Sequence, residues 1–350
     1  MPIPPSTKKN IQQIIFLVVC LVLCSLLLHV FIQNSGVNNL YRARFVDMVD
    51  GTAYRPYVNR VLLPALIRLI TAPLPEHWNA ALSAIPWIAA ELRAFQVPPG
   101  AALQALTAWV LMIISLIGFA YSLRWLILIN CPIPGWLAEF TALLALACLP
   151  IFWNFGYIYD FTTLFLFTLQ LVLLAKGSWI AYLFLFPLTT LNKETSVLLI
   201  LIFSLYYFPK VHIPRLKFLK ILSAQVLIFL AIKLALFLQF QHNPGGEGEN
   251  HWGDHLTILA EFPGLVLITT IVLLGGLSFL LFYGWKQKPA FLRYASIILI
   301  PLMGLYFVYG FPFEFRVFYE AYPVIFALGL YSVLRILPGR VRNSLVPPQP

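Results

Sequence analysis

Charge is what this chain has least of. Only 10% of its 350 residues are Asp, Glu, Lys or Arg, against about 25% in soluble domains, while 61% are apolar against about 45–50%. A water-soluble globule is excluded, because apolar side chains would cover its surface and 29 Phe, 16 Tyr and 9 Trp would drive aggregation. A bilayer accepts such a surface, so the expected fold is all-α, a polytopic transmembrane helical bundle. Cysteine is scarce as well. Cys20, Cys24 and Cys148 fall inside apolar runs and Cys131 in a short connection, which excludes a disulfide scaffold. Asn-x-Ser/Thr acceptor motifs and a targeting extension are also missing, and most loops are short; a bacterial inner membrane is the expected location.

What is present is a series of apolar runs. Crossing about 30 Å of hydrocarbon takes roughly 20 residues, fewer where the protein thins the membrane. About ten such runs occur, near 11–31, 103–123, 137–155, 161–175, 178–191, 195–209, 221–240, 264–284, 295–309 and 321–337. Lys8 and Lys9 precede the first, which has no small-x-small cleavage site before Gln33 and therefore reads as a retained signal anchor. Placing the N-terminus inside, with the C-terminus also inside, puts fourteen basic residues on the cytoplasmic side, among them Arg124, Lys176, Lys210, Arg215, Lys288, Arg335, Arg340 and Arg342. The net charge of +10 thus reports orientation toward membrane lipid, and no nucleic-acid partner is implied.

The acidic residues divide more sharply. Twelve of thirteen face out and only Glu139 does not. Acidic residues contribute little to orientation, so this bias calls for a functional or solvation cause on the outer face. Residues 157–209 must also cross three times with 53 residues, about 80 Å of helix against the roughly 90 Å needed. The outer turns at Asp160 and at 192–195 should therefore sit below the membrane surface, where charge is tolerated only in a wet cavity or buried in protein.

Four outward segments carry the candidate chemistry. The long first outer loop, 32–102, contains an apolar stretch, Val61–Leu74, too short to span, and a second amphipathic piece, His77–Phe95, bearing Trp78 and Trp87; both read as interfacial or re-entrant helices. Ahead of them, Asp47 and Asp50 share one helical face at i, i+3, followed by Arg55, Tyr57 and Arg60. A carboxylate there suits a general base or metal ligand beside arginines that clamp phosphate; a solvated helix start with ordinary ion pairs is the alternative. The second segment runs from Trp153 through Tyr157 and Tyr159 to Asp160. Its aromatics read as membrane-belt anchors or site residues, and Asp160 as an N-cap or a buried functional carboxylate. The third, Asn192-Lys193-Glu194-Thr195, is a capped hairpin turn or a cavity lining. In the fourth, 311–320, Arg316 and Glu320 form an i, i+4 pair after Glu314, either locking the last span or binding substrate.

A glycine-rich acidic loop, 241–263, gathers Glu247, Glu249, His251, Asp254 and His255. It is a candidate for a divalent cation, although Gly253 disfavours the helix that would align those side chains, and a mobile hydrophilic loop is the simpler expectation.

Acidic residues matched with arginines suit neither a cation channel nor a proton relay through the bilayer. They suit a reaction at the outer leaflet, with Arg and Lys on a lipid-borne phosphate, a carboxylate as base and aromatics against sugar faces. With its N-in first span, its long first outer loop bearing Asp47 or Asp50, and its short outer loops returning charge to one cavity, the chain resembles the GT-C class of integral membrane glycosyltransferases. The resemblance implies inverting transfer of a sugar from a polyprenyl-phosphate donor, with Asp47 or Asp50 as general base and Arg55, Arg60 or Lys193 on the phosphate. Tyr159, Asp160, Glu194, Glu314, Arg316 and Glu320 complete the expected site. The alternatives are a polysaccharide polymerase or ligase acting on lipid-linked glycans, and a non-enzymatic transport or assembly subunit with membrane-protein partners, in which Arg316 with Glu320 and Lys193 with Glu194 would be ion pairs holding short helices together.

Overall fold

The computed structural model of the chain describes residues 5–34, 38, 40–153, 156–208, 213–246, 248 and 250–337. Asn154, Phe155, Lys210, Glu247, Glu249, Arg340 and Arg342 lie outside the described residues. Within them every regular element is helical, and the one β-type contact is an isolated bridge between Arg55 and Gly245. The α-helices are α1 (Pro5–Asn34), α2 (Phe45–Asp50), α3 (Leu62–Thr71), α4 (His77–Ser83), α5 (Pro86–Ala94), α6 (Ala102–Asn130), α7 (Gly135–Cys148) and α8 (Asp160–Lys176). They continue with α9 (Trp179–Asn192), α10 (Val197–Tyr207), α11 (Arg215–Phe240), α12 (Trp252–Glu261), α13 (Pro263–Phe282), α14 (Ala290–Ala295), α15 (Leu299–Tyr309) and α16 (Tyr322–Ile336).

Five helical stretches are long and apolar enough to cross a membrane: Asn10–Asn34, Pro99–Asn130, Gly135–Phe152, Arg215–Phe240 and Ala290–Tyr309. Others are apolar but short. α8, α9 and α10 have 17, 14 and 11 residues, about 26, 21 and 17 Å at 1.5 Å per residue, all less than a hydrocarbon thickness of about 30 Å.

α6 is the axis of the bundle. Ala105, Ala108, Met112, Leu116, Phe119, Leu123 and Leu126 recur at steps of three and four and are all buried, against α8 on one side and α7 and α1 on the other. Small residues let the backbones approach, as Ala138, Ala142 and Ala145 do on α7. The same logic is sharpest at Gly118 of α6, where an added Cβ would stand 2.7 Å from the Phe165 ring of α8. α8 stops at Gly177, whose φ of 67° is the left-handed conformation open to glycine; its N–H and that of Ser178 close onto the Leu174 and Leu173 carbonyls, and α9 turns back.

The two ends of the bundle differ in chemistry. At the end holding the start of α1, Gln12 and Arg124 meet Glu139, and the Lys176 ammonium lies 3.7 Å from the Trp125 ring centroid. At the opposite end the long loop 38–101 folds over the helices. There Asn243 Nδ2 donates to the Gly51 and Ala53 carbonyls, Arg55 N–H to Pro244, and His29 meets Glu91 at 2.8 Å. The amphipathic stretch 77–95 is not one helix, because Pro86 has no N–H to continue the ladder and opens α5 as its first residue. In α3, Leu63 and Ile67 are buried against the bundle while Leu69 and Ile70 stay exposed, the one-sided pattern expected of an interfacial helix.

The α6–α8 approach is testable. Gly118→Val should destabilise the protein by about 1–3 kcal/mol through overpacking against Phe165, whereas Gly275→Ala in α13, where a Cβ meets nothing within 4 Å, should leave the melting temperature unchanged or raise it. Thermal unfolding of the two detergent-solubilised variants checks this, and equal melting temperatures would refute it.

Candidate functional site

Four chain segments meet at the loop end. The first is the 3-10 turn Tyr57–Asn59 with Arg60 after it. The second is 156–160, which ends in the first residue of α8. The third is Lys193, whose extended backbone (φ −161°, ψ 138°) breaks α9 and leads into the 3-10 turn Glu194–Ser196. The fourth is Glu314 with the 3-10 turn Phe315–Phe318 and the Tyr319–Ala321 link to α16. None of these is regular α-helix beyond its edges, so each backbone can aim a charged side chain inward.

The side chains form three linked ion-pair groups. Arg60 donates Nη2–H to Glu194 Oε1 at 2.9 Å and Nε–H to Oε2 at 3.4 Å, a two-pronged pair, and Nη1–H to the Tyr159 hydroxyl. Lys193 Nζ lies 2.8 Å from Glu320 Oε1, which also accepts the Thr195 hydroxyl. Arg316 pairs with Glu314 and, at 3.3 Å, with Asp160 Oδ1. Tyrosine faces separate and cover the cations. The Arg316 guanidinium sits 4.1 Å from the Tyr157 centroid and that of Arg60 4.6 Å from Tyr159; these two rings stack at 5.4 Å with 3° between planes, and Tyr57 lies 5.3 Å from Tyr157.

The cluster holds three cations and four carboxylates, and all seven side chains except one are buried. Glu194 is the exception, with its side chain 35% exposed. Burial acts to lower the pKa of Arg60, but the Glu194 carboxylate against it outweighs that and holds the guanidinium above its ordinary value. Hydrogen-bonding capacity is left over: Asn59 Oδ1, Arg316 Nε and Glu320 Oε2 are buried with no partner among the described residues. Two acceptors and a donor of this kind inside a charged cluster are what a bound hydroxyl or water would use.

Several expectations from the sequence are corrected. Arg316 and Glu320 do not pair with each other, because 315–318 is a 3-10 turn and α16 starts only at Tyr322, so the i, i+4 geometry never forms. Lys193 and Glu194 likewise take separate partners. Asp160 is not an N-cap for the residues that follow it: Oδ2 turns back to accept the Tyr157 N–H at 2.8 Å. Trp153 and Tyr157 are not belt anchors, being buried inside the protein. Tyr157 and Thr195, each open to two readings from the sequence, belong to the cluster, as does Tyr57; the available signal was their adjacency to Tyr159, Lys193 and Arg60.

Asp47, Asp50 and Arg55 stand apart. Asp47 lies in the first turn of α2, half-buried; Asp50 ends α2, exposed; neither side chain pairs with a described residue. α2 closes onto the chain just after it, where the Asp47 carbonyl accepts the Thr52 and Ala53 N–H groups, and Tyr54 N–H donates to the Arg42 carbonyl ahead of α2. Arg55 instead braces the loop end, donating to the Asn243 and Gly245 carbonyls. Of the divalent-cation candidate, Glu247 and Glu249 lie outside the described residues, and the remaining members do not gather as a group of three. Gly253 is accommodated within α12, His251 meets Asp254 at 2.7 Å, but His255 turns to the Tyr306 and Gly310 carbonyls, and no group of three potential metal ligands converges among the described residues.

Removing one member of a buried ion pair strands the other. Glu320→Leu should therefore cost about 3–5 kcal/mol, while Lys193→Met combined with Glu320→Leu should recover most of that loss. A double-mutant cycle on thermal or denaturant unfolding measures it, and additive losses would show that the two side chains are not coupled. Compared with protein-family models, curated proteins and solved structures, the chain matches none.

Proposed function

We propose that this protein is an outer-face transferase acting on a lipid-borne phosphate, a membrane glycosyltransferase of the kind that takes a sugar from a polyprenyl-phosphate donor. The observation that carries the reading is the Arg60–Glu194 pair. Charges at membrane depth are costly and mark functional sites by default, and this pair alone in the cluster reaches the surface. The donor's phosphodiester, with one negative charge shared by two non-bridging oxygens, can take the place of Glu194 on the Arg60 fork with the same two-pronged geometry, while Tyr57, Tyr157 and Tyr159 offer flat faces to a sugar ring.

The proposed orientation is N-in with ten crossings, by α1, α6, α7, α8, α9, α10, α11, α13, the α14–α15 pair and α16. It is supported by the basic residues at the α1 start and by contacts that alternate between the bundle ends. Tyr207 at the end of α10 bonds to Leu174 near the end of α8, and Asn192 at the end of α9 bonds to Thr163 at the start of α8. The short α8, α9 and α10 would then hold the cluster below the outer surface.

In this mechanism Asp47 is the general base. Its side chain is half-buried with no partner among the described residues, which leaves it open to an acceptor hydroxyl, and it lies in the same outer loop as Arg60. Asp47 takes the proton from the acceptor hydroxyl; that oxygen attacks the sugar carbon as the bond to the lipid phosphate breaks, and Arg60 neutralises the departing phosphate. A second reading, a non-enzymatic membrane assembly subunit, is favoured by one observation: every cation in the cluster already has a carboxylate partner, as a purely structural clamp would.

Turnover of a polyprenyl-phosphate-linked sugar by purified protein separates them. Asp47→Asn should lower kcat by about 10²–10⁴ with the fold intact, and Arg60→Lys should raise KM for the donor by losing the two-pronged contact. Normal turnover by Asp47→Asn would refute the base assignment. A wild-type protein that neither binds nor turns over the donor would favour the structural clamp.

A further inference from the structure

Lys233 lies well inside α11, one of the long apolar helices, and the ion-pair cluster makes no use of it. It stands seven residues before Phe240, about 10 Å along the axis from the loop end of the helix. A charge at such a position in an apolar helix marks a functional site by default, with its counter-charge to be named. Lys233 is half-buried and makes no hydrogen bond, ion pair or ring contact with a described residue. A side chain that merely snorkels toward the surface would account for an isolated lysine. This one is not isolated.

Seven residues carry an α-helix through nearly two full turns, so Lys233 sits almost directly beneath Phe240, about 20° around the axis. Phe240 closes on the outer loop. Its ring and the Arg68 guanidinium of α3 meet over Gly51, 3.6 and 3.9 Å from where a Cβ of that residue would stand. Arg68 donates to the Val49 carbonyl and pairs with no carboxylate among the described residues; Asp50, next to Val49, is exposed and pairs with neither cation. α11 also packs against the turn Tyr57–Asn59 that leads into Arg60. Two cations without a carboxylate therefore follow one seam, between α3 and α11, beside the segment that carries the phosphate clamp. Leu234 next to Lys233 and Leu69 next to Arg68 are both exposed, so the seam is bordered by apolar surface.

Charge sets the sign of the ligand and the border sets its carrier. Two cations and no acid call for an anion, and one whose several oxygens accept from an ammonium and a guanidinium together is a phosphate. A water-borne phosphate would have to pass exposed leucines to reach Lys233, whereas a phosphate on a hydrocarbon tail brings an apolar part to meet them. We propose that the α3–α11 seam is the lateral entry site for the lipid-linked donor, where Lys233 and Arg68 take the donor's phosphate from the membrane before it passes to Arg60. The identity of the donor rests on the transferase reading; the two cations and their border belong to the seam alone. The lysine stem lets the ammonium rise toward Arg68, and no bond is made or broken at this step.

Native mass spectrometry of the full chain, exposed to equal amounts of polyprenyl phosphate, phosphate-free polyprenol and dioleoyl phosphatidate, tests the assignment. Polyprenyl phosphate should be retained over both comparators. Lys233→Met, which puts an apolar side chain of similar length in place of the charge, should weaken that retention about tenfold with the melting temperature at or above that of wild type. Lys233→Arg should restore it, and Lys220→Met, near the other end of α11, should leave it unchanged. Undiminished retention by a folded Lys233→Met variant, the outcome expected if Lys233 serves a carboxylate of a partner helix, would overturn the entry site, as would equal retention of phosphatidate. Turnover separates this result from the transferase reading. Retention lost with Lys233→Met in a protein that transfers no sugar keeps the seam and removes the enzyme, whereas an active Lys233→Met variant with wild-type donor KM removes the seam and keeps the enzyme. If Lys233→Met fails to fold, Arg68→Gln and the wild-type lipid ratio decide the question by the same measurement.

Discussion

The structure depends on the requirement that a charge removed from water be met by another charge or a hydrogen bond. Three cations and four carboxylates are enclosed at one end of an otherwise apolar bundle, and each cation has a carboxylate against it. Because the partners come from different chain segments, pairing them holds the Arg60 loop, the start of α8, the α9–α10 break and the entry to α16 in register. Apolar packing in a bilayer discriminates poorly between helix arrangements, since lipid tails are as apolar as leucine. Polar pairing supplies the specificity that packing lacks.

That arrangement explains the irregular backbone. An α-helix satisfies its own backbone groups and sends side chains around its circumference, so a site needing seven charged groups in one place is poorly served by helix interiors. Here the charged residues sit at an extended break, at 3-10 turns and at the first residue of α8. Such backbone is tolerated at membrane depth only where protein or a wet cavity surrounds it. The leftover Arg316 Nε, Asn59 Oδ1 and Glu320 Oε2 are consistent with the wet cavity. The two ends of the molecule then use charge differently: the loop end concentrates it in a cluster with one solvent-facing member, and the α1 end keeps one buried carboxylate, Glu139, held by Arg124 and Gln12.

Much of the fold was legible along the chain. The apolar runs correspond closely to α1, α6–α11, α13, α15 and α16, because a lipid-facing helix has to be apolar over nearly its whole length. The depth of Asp160, Lys193 and Glu194 was foreshadowed by helices too short to bring their turns to the surface, while Glu314, Arg316 and Glu320 were legible only as an outward charged segment. What could not be read was partnership. Sequence neighbours Arg316 and Glu320, and Lys193 and Glu194, invited pairing with each other, and the intervening turns send them elsewhere. Tyr157 illustrates the same limit: an aromatic at the edge of an apolar run has the signature of a belt anchor until the tertiary structure places a guanidinium over its face.

The sequence by itself determined that the described chain is helical, with several segments long and apolar enough to cross a membrane, because hydrophobic length and scarcity of charge are properties of composition and order alone. Tertiary structure decided which carboxylate meets which cation, that Asp47 has no side-chain partner among the described residues while Glu194 is tied to Arg60, and that His255 turns away from the His251–Asp254 pair. Those outcomes depend on distances of a few ångströms between segments more than a hundred residues apart, and no local pattern encodes them.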